Sequence, residues 1–165
     1  MTFRAVHPSD LPRLVEINNA VVPAMNELDL EAMRRFAETA LWFRVAEEDG
    51  TIAAFLIALQ HDAEYDSANF RWFQSHYGDF VYVDRIAVDP SARRLGLASR
   101  LYGELFDFAR SRGAPRICAE VNLRPPNPVS IEFHRRAGFL EVGTLDHADS
   151  GKRVVLLVKP LEAGS

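Results

Sequence analysis

Residues 80–121 leave the chain few topologies to choose from. Phe80–Val88 (FVYVDRIAV) is an aromatic and β-branched run of the kind that fills a buried strand. Asp89-Pro90 ends it, because proline has no N–H to give to a ladder. Leu97, Leu101, Leu105 and Phe108 then recur at helical spacing, Ala98, Tyr102 and Ala109 widen the apolar stripe, and Gly113 suits the helix's C-terminal cap. Ile117–Val121 is a strand again. A strand, a crossover helix and a second strand predict a parallel pair joined by a right-handed connection.

The turn into that helix carries the first chemical signal. It reads Arg93-Arg94-Leu95-Gly96-Leu97-Ala98, with side chains kept small at Gly96 and Ala98. A helix N-terminus presents unpaired N–H groups and the positive end of a dipole, so it can hold phosphate, and two arginines add charge-assisted bonds. The spacing is neither the G-x-x-x-x-G-K-[ST] of a P-loop nor the G-x-G-x-x-G of a dinucleotide fold. It is R-x-x-G-x-A. On these six residues alone, a surface loop with a helix cap is an equal reading.

The rest of the chain supplies the context. Thr2–Val6 reads as a short edge strand, and His7-Pro8-Ser9-Asp10 offers capping residues before a helix carrying Leu11, Leu14, Val15 and Ile17. Pro23 interrupts, and Leu28–Thr39 is a second helix with Leu30, Met33, Phe36 and Ala37 at helical spacing. Leu41–Glu47 and Thr51–Leu59 form a hairpin about Glu48-Asp49-Gly50, whose carboxylates make a solvated tip and a poor metal site. His61–Asp79 is a long insertion, read as a loop. Its five aromatics, Tyr65, Phe70, Trp72, Phe73 and Tyr77, argue against disorder. Among Asp62, Glu64, Asp66 and Asp79 they suit a lid over a cationic amine; packing on the core or a dimer contact is the other reading. Asn127 as N-cap, Pro128 at the first turn and Gly138 past the end delimit a helix of about ten residues. Strands Leu140–Leu145 and Arg153–Val158, joined by a polar loop over Asp146–Lys152, close the chain.

Composition excludes several classes. At 165 residues, 48% apolar and 25% charged, one domain over residues 1–165 is expected. A net charge of −4 argues against a nucleic-acid partner. No apolar run approaches ~20 residues and the N-terminus lacks a signal-type apolar stretch, so no membrane association is expected. The single cysteine, Cys118, fits a reducing cytosol and points to a cytoplasmic location. His7, His61, His76 and His147 lack close metal-ligand spacing, and no metal is predicted.

Two motifs together carry a family resemblance. Arg93-x-x-Gly96-x-Ala98 after its strand resembles the acetyl-CoA loop, R/Q-x-x-G-x-G/A, of the GNAT superfamily of N-acetyltransferases. Asn127, Ser130, Phe133, His134, Gly138 and Phe139 match the family's N-x-x-S/A-x-x-F/L-Y-x-x-x-G-F, with histidine where tyrosine is usual. The likeness spans Phe80–Phe139 and extends over the chain. The insertion and the Asn-Leu-Arg-Pro-Pro-Asn-Pro segment resemble a bacterial subgroup of predicted acetyltransferases without an assigned substrate. It implies a mixed α/β (α+β) fold: a central, largely antiparallel seven-stranded sheet, a splayed parallel pair of fourth and fifth strands, and about four helices.

The resemblance also implies a site. Acetyl-CoA would pair with the backbone of Ile86 and Val88, set its pyrophosphate on Arg93, Arg94, Leu95, Gly96, Leu97 and Ala98, and be flanked by Asn127, Ser130 and Phe133, leaving CoA as product. The reaction would be direct attack of a primary amine on the thioester in a ternary complex, the acceptor more readily a small molecule than a protein. Such an amine must be neutral to attack, so a base is useful. Glu120 matches a strand-end glutamate that serves as base in some relatives; a solvated or arginine-paired carboxylate is its bland alternative. Asp84 is the rival base, or the partner of Arg85. His134 is the candidate acid for the thiolate, could act as base, or packs as a helix histidine. Tyr65, Phe70, Trp72 and Tyr82 are the expected acceptor-binding residues. Cys118, mid-strand, is expected to be inert. A homodimer and a non-catalytic acyl-CoA-binding module are the remaining possibilities.

Overall fold

Seven strands, β1 (Thr2–Ala5), β2 (Trp42–Glu48), β3 (Thr51–Gln60), β4 (Val81–Val88), β5 (Arg116–Arg124), β6 (Leu140–His147) and β7 (Lys152–Pro160), form one sheet in the order β1-β2-β3-β4-β5-β7-β6. The structure is a computed structural model and describes residues 1–22 and 26–162. The break expected at Pro23 lies outside them. Helices α1 (Leu11–Ala20), α2 (Leu30–Thr39), α3 (Ala68–His76), α4 (Leu97–Ser111) and α5 (Pro128–Arg136) complete the fold. β4 and β5 are parallel, pairing Val81 with Ile117 and Tyr82 with Cys118, whereas β1–β2, β2–β3, β5–β7 and β6–β7 are antiparallel. The mixed seven-stranded sheet is thus as expected.

The chain divides into two compact units, Met1–Leu59 with Val83–Asp107 and Gln60–Tyr82 with Phe108–Ser165. In the first, Leu14, Ile17, Met33, Val45, Phe55, Leu56 and Ile57 are fully or almost fully buried. The hairpin tip folds as its residues require: Asp49 and Gly50 both take positive φ (52° and 77°), the pattern of a two-residue turn whose twist matches the flanking strands. Asp29 caps α2 by accepting from the Ala32 N–H at 2.8 Å, so that helix starts at Leu30 and not at Leu28.

The second unit holds the main departure from the sequence reading. The insertion, expected as a loop, contains α3, which makes five α-helices among the described residues where about four helices were expected. Ser67 caps it, accepting from Phe70 N–H at 3.2 Å, and Phe70 and Phe73 sit on its buried side. Their rings meet Phe80 at 6.0 and 6.2 Å and Tyr82 at 5.1 and 5.9 Å between centroids. Burying aromatic area on the start of β4 supplies the stabilisation that a nine-residue helix lacks on its own. Trp72 lies on β6: a Cβ placed on Gly143 would stand 3.0 Å from its ring, so that position needs glycine for the helix to come this close. β6 also runs on to His147, beyond the strand end expected at Leu145.

Candidate active site

In the first unit, the candidate phosphate turn is built from Asp89 onward. Its N–H donates to Ala53 O at 2.8 Å, and its carboxylate accepts from the N–H and hydroxyl of Ser91 at 2.9 and 2.8 Å and pairs with Arg13. The two Ser91 bonds, then Arg13, hold the Asp89 carboxyl below the usual carboxylate range. Beyond this anchor Arg94 and Gly96 both adopt φ 73°, a left-handed alternation that curves the backbone before α4 begins at the buried Leu97. Arg93, Arg94, Leu95 and Gly96 are exposed. Ile86 and Val88 are half-buried on β4, on either side of the buried Ala87.

Asp84 has its bland partner. Its Oδ2 accepts from Arg85 Nε at 2.6 Å, and both side chains are under a tenth exposed. Arg85 also donates to Asn18 Oδ1 at 3.0 Å and lies 5.3 Å over the Phe36 ring. This is a charge compensated from several directions.

In the second unit a carboxylate network is centred on Glu120. Because Tyr82 and Cys118 are paired, Glu120 lies two residues further along the same face of β5. The Tyr82 hydroxyl donates to Glu120 Oε1 and Oε2, at 2.6 and 2.8 Å. Asn69 Nδ2, from α3, donates to Oε1 at 3.0 Å, and Asn69 Oδ1 is 2.9 Å from His147 Nε2, at the end of β6. Four side chains from four elements converge here. Glu120 and Tyr82 were singled out in the sequence; Asn69 and His147 were not. Ser67 as a cap before Phe70, Phe73 and Tyr77 was a readable helix signal that would have put Asn69 in the first turn of α3. Nothing in one sequence brings His147 to it.

α5 carries the second motif. Asn127 caps it through Oδ1, which accepts from Ser130 N–H at 3.3 Å. His134 is buried with its ring edge-on to Phe133 and Phe139, at 5.4 and 5.1 Å. Its Nδ1 lies 2.7 Å from Ser130 O, and a carbonyl can only accept, so Nδ1 carries the proton. Burial pushes the imidazole's pKa down, against the smaller opposing effect of the Ser130 carbonyl. Phe133 is half-buried.

The expected acceptor residues separate. Phe70 and Tyr82, read in the sequence as acceptor contacts, are fully buried, and the Tyr82 hydroxyl is turned to Glu120. Tyr65 is half-buried and edge-on to Phe70 at 5.7 Å; Trp72 is half-buried and stacked on His76 at 3.8 Å. Asp62, Glu64 and Asp66 are exposed, and Asp66 pairs with Arg71 at 2.5 Å. The Cys118 thiol is buried and pushed up by desolvation, which disarms it as a nucleophile. Among the described residues no group of three or more His, Cys, Asp or Glu could hold a metal ion, and no helix is long and apolar enough to cross a membrane.

Comparison with known proteins bears on the family and the fold. Residues 12–139 match the model of a family described as the acetyltransferase (GNAT) family. An uncharacterized Mycobacterium leprae protein, ML0378, is 44% identical over 69 residues, which are 41% of this chain and 18% of that protein. The chain therefore spans under a fifth of the length of that curated relative. Among solved structures, the fold is similar to Naa20 of Chaetomium thermophilum in complex with a bisubstrate analogue (22% identity, TM-score 0.78, covering 99% of this chain and 88% of that one). It is also similar to yncA of Salmonella typhimurium, a putative acetyltransferase with its cofactor acetyl-CoA (20%, TM-score 0.74, 100% and 96%). A third is the ribosomal-protein-alanine N-acetyltransferase of Brucella melitensis (24%, TM-score 0.74, 98% and 100%). At these identities the likeness speaks to the fold.

Proposed function

Because the chain belongs to the acetyltransferase (GNAT) family, we propose that it transfers an acetyl group from acetyl-CoA to a primary amine, by direct attack, with Glu120 as the base. The observation that carries this reading is the Glu120 carboxylate, held by the Tyr82 hydroxyl and the Asn69 amide. Acetyl-CoA supplies the activated acyl group as a thioester. The residues present suit it: the left-handed Arg94 and Gly96 curve the chain into the α4 N-terminus, with Arg93 and Arg94 exposed beside it. We assign Arg93, Arg94, Leu95, Gly96, Leu97 and Ala98 to the pyrophosphate, Ile86 and Val88 to the pantetheine arm, and Asn127, Ser130 and Phe133 to the cofactor's flank.

Glu120 would take a proton from the incoming amine, directly or through a water, as nitrogen bonds to the acyl carbon and the carbon–sulfur electron pair leaves with the CoA thiolate. His134, the candidate acid, is neutral with its proton on Nδ1; delivering a proton from Nε2 would require an imidazolium, which its burial disfavours. Asp84 is tied to Arg85, which makes Glu120 the better base.

We read the acceptor as a small cationic amine, drawn by the exposed Asp62 and Glu64 on the α3 segment. A protein N-terminus is the second reading, favoured by the fold likeness to the ribosomal-protein-alanine N-acetyltransferase. Thiol release from acetyl-CoA, measured against spermidine, single amino acids, an aminoglycoside and an alanine-initiated peptide, separates them. Thermal stabilisation by acetyl-CoA without turnover on any amine would instead indicate a non-catalytic acyl-CoA-binding module. Absence of stabilisation would overturn the assignment of the cofactor.

A further inference from the structure

None of the four residues of the carboxylate network lies in either family motif, and two of them, Asn69 and His147, come from α3 and the end of β6. Tyr82 donates to both oxygens of Glu120 almost equally, at 2.6 and 2.8 Å. A donor shared in this way aims the carboxyl group but does not tell its two oxygens apart. Asn69 does: Nδ2 reaches Oε1 at 3.0 Å from a different element, α3. Two separate donors on one carboxylate fix its plane as well as its direction.

Asn69 is useful only in one orientation, because its amide oxygen in place of Nδ2 would face a carboxylate oxygen. The carboxylate, an acceptor only, requires that orientation, and an Nε2–H on His147 reinforces it. His147 Nε2 is 2.9 Å from Asn69 Oδ1, an atom that can only accept, so the hydrogen sits on Nε2 and the Asn69 nitrogen is left toward Glu120. Both residues are half-buried, where a mispaired amide would be costly.

We propose that Asn69 and His147 are positioning residues for Glu120: Asn69 sets the carboxylate, and His147, as the Nε2–H tautomer, holds the Asn69 amide in place. The proposal rests on the reading of Glu120 as the base, and it gives the α3 insertion and the end of β6 a part in the reaction that their distance in sequence conceals. Neither residue needs to touch the reacting atoms. Their effect is on the orientation and the charge state of the group that does.

The first test uses the wild-type protein. Long-range proton–nitrogen NMR of the imidazoles should show neutral His147 as the Nε2–H tautomer; an Nδ1–H tautomer would overturn the relay. The second follows the Glu120 carboxyl carbon in protein labelled with carbon-13 glutamate, the signal identified by its loss in Glu120→Gln. Removing a donor to the charged form should raise its titration midpoint by about half a unit to one unit in Asn69→Leu, and by less in His147→Phe. An unmoved midpoint in both variants would overturn the proposal. Turnover then separates the two readings. If Glu120→Gln leaves turnover intact, the base assignment falls, whatever the midpoints do. If Glu120→Gln is slow, Asn69→Leu should cost a further loss only while Glu120 is present; equal, multiplicative losses in both backgrounds would mean a merely structural role.

Discussion

The hydroxyl of Tyr82 stands 2.6 and 2.8 Å from the two carboxylate oxygens of Glu120, joining the start of β4 to the candidate base on β5. Tyr82 is fully buried, and its ring belongs to the Phe70, Phe73 and Phe80 cluster. Tyr82→Phe therefore deletes one donor and leaves the packing in place. Turnover on the amine selected in the panel should fall about 10-fold, and stability by about 1.5–3 kcal/mol, the range for a hydrogen bond to a charged group. Steady-state kinetics beside thermal unfolding checks both; unchanged turnover would show that the bond is structural only.

Gly96 tests the cofactor assignment. A Cβ there would meet nothing within 4 Å, so the cost of Gly96→Ala comes from the backbone, which holds φ at 73°. A side chain in the left-handed region costs about 1–2 kcal/mol, which the turn can relieve by moving off the conformation that acetyl-CoA needs. Affinity for acetyl-CoA, measured by calorimetry, should weaken by about 10-fold, with little change in the melting temperature of the free protein. Wild-type affinity would mean that the pyrophosphate lies elsewhere.

Gly143 tests the placement of α3. Its Cβ would lie 3.0 Å from the Trp72 ring, and Trp72 is one turn along the helix from Asn69. Gly143→Ala should cost about 1–3 kcal/mol, typical of overpacking. Pushing Trp72 should also lower turnover. Adding Trp72→Leu should restore stability in part; strictly additive losses in chemical denaturation would show that the two side chains do not meet.

His134 gives a pH dependence with a defined sign. Burial depresses the folded-state pKa below the ordinary value of 6.5. Between the two values the unfolded chain binds more protons, so stability is fully present above pH 6.5 and is lost as the pH falls toward the folded-state value. His134→Phe should flatten that part of the stability–pH curve, read from urea midpoints at stepped pH. If His134 also delivers a proton in the reaction, the variant will lose a titration from the pH–rate profile; an unchanged profile assigns it to packing.

Much of this architecture was legible because local rules and long-range order agree where the motifs lie. The Phe80–Val88 run, the α4 stripe and the Asn127 cap each announce an element, and a crossover helix forces the parallel pairing that aligns Tyr82 with Cys118. The α3 segment was harder. Its acidic flanks and lack of a capping-box glutamate disguised a helix whose stability comes from aromatic burial on β4, a tertiary effect. The same burial explains why Phe70 and Tyr82 resembled acceptor contacts: aromatic residues near a site look alike in sequence whether they face a ligand or the core. His147 was beyond reach, because its partner lies 78 residues away.

That separation has a consequence for how the protein acquires activity. The bonds about Glu120 close intervals of 38, 51 and 78 residues, and the Asp89 anchor of the turn at Arg94–Gly96 is likewise tied to Arg13, 76 residues away. Contacts closed over long intervals form late, after the entropy of the intervening chain has been lost. Neither the anchored turn nor the aligned base can thus be completed by its own stretch of a newly made chain, and activity waits on the whole of both units being folded.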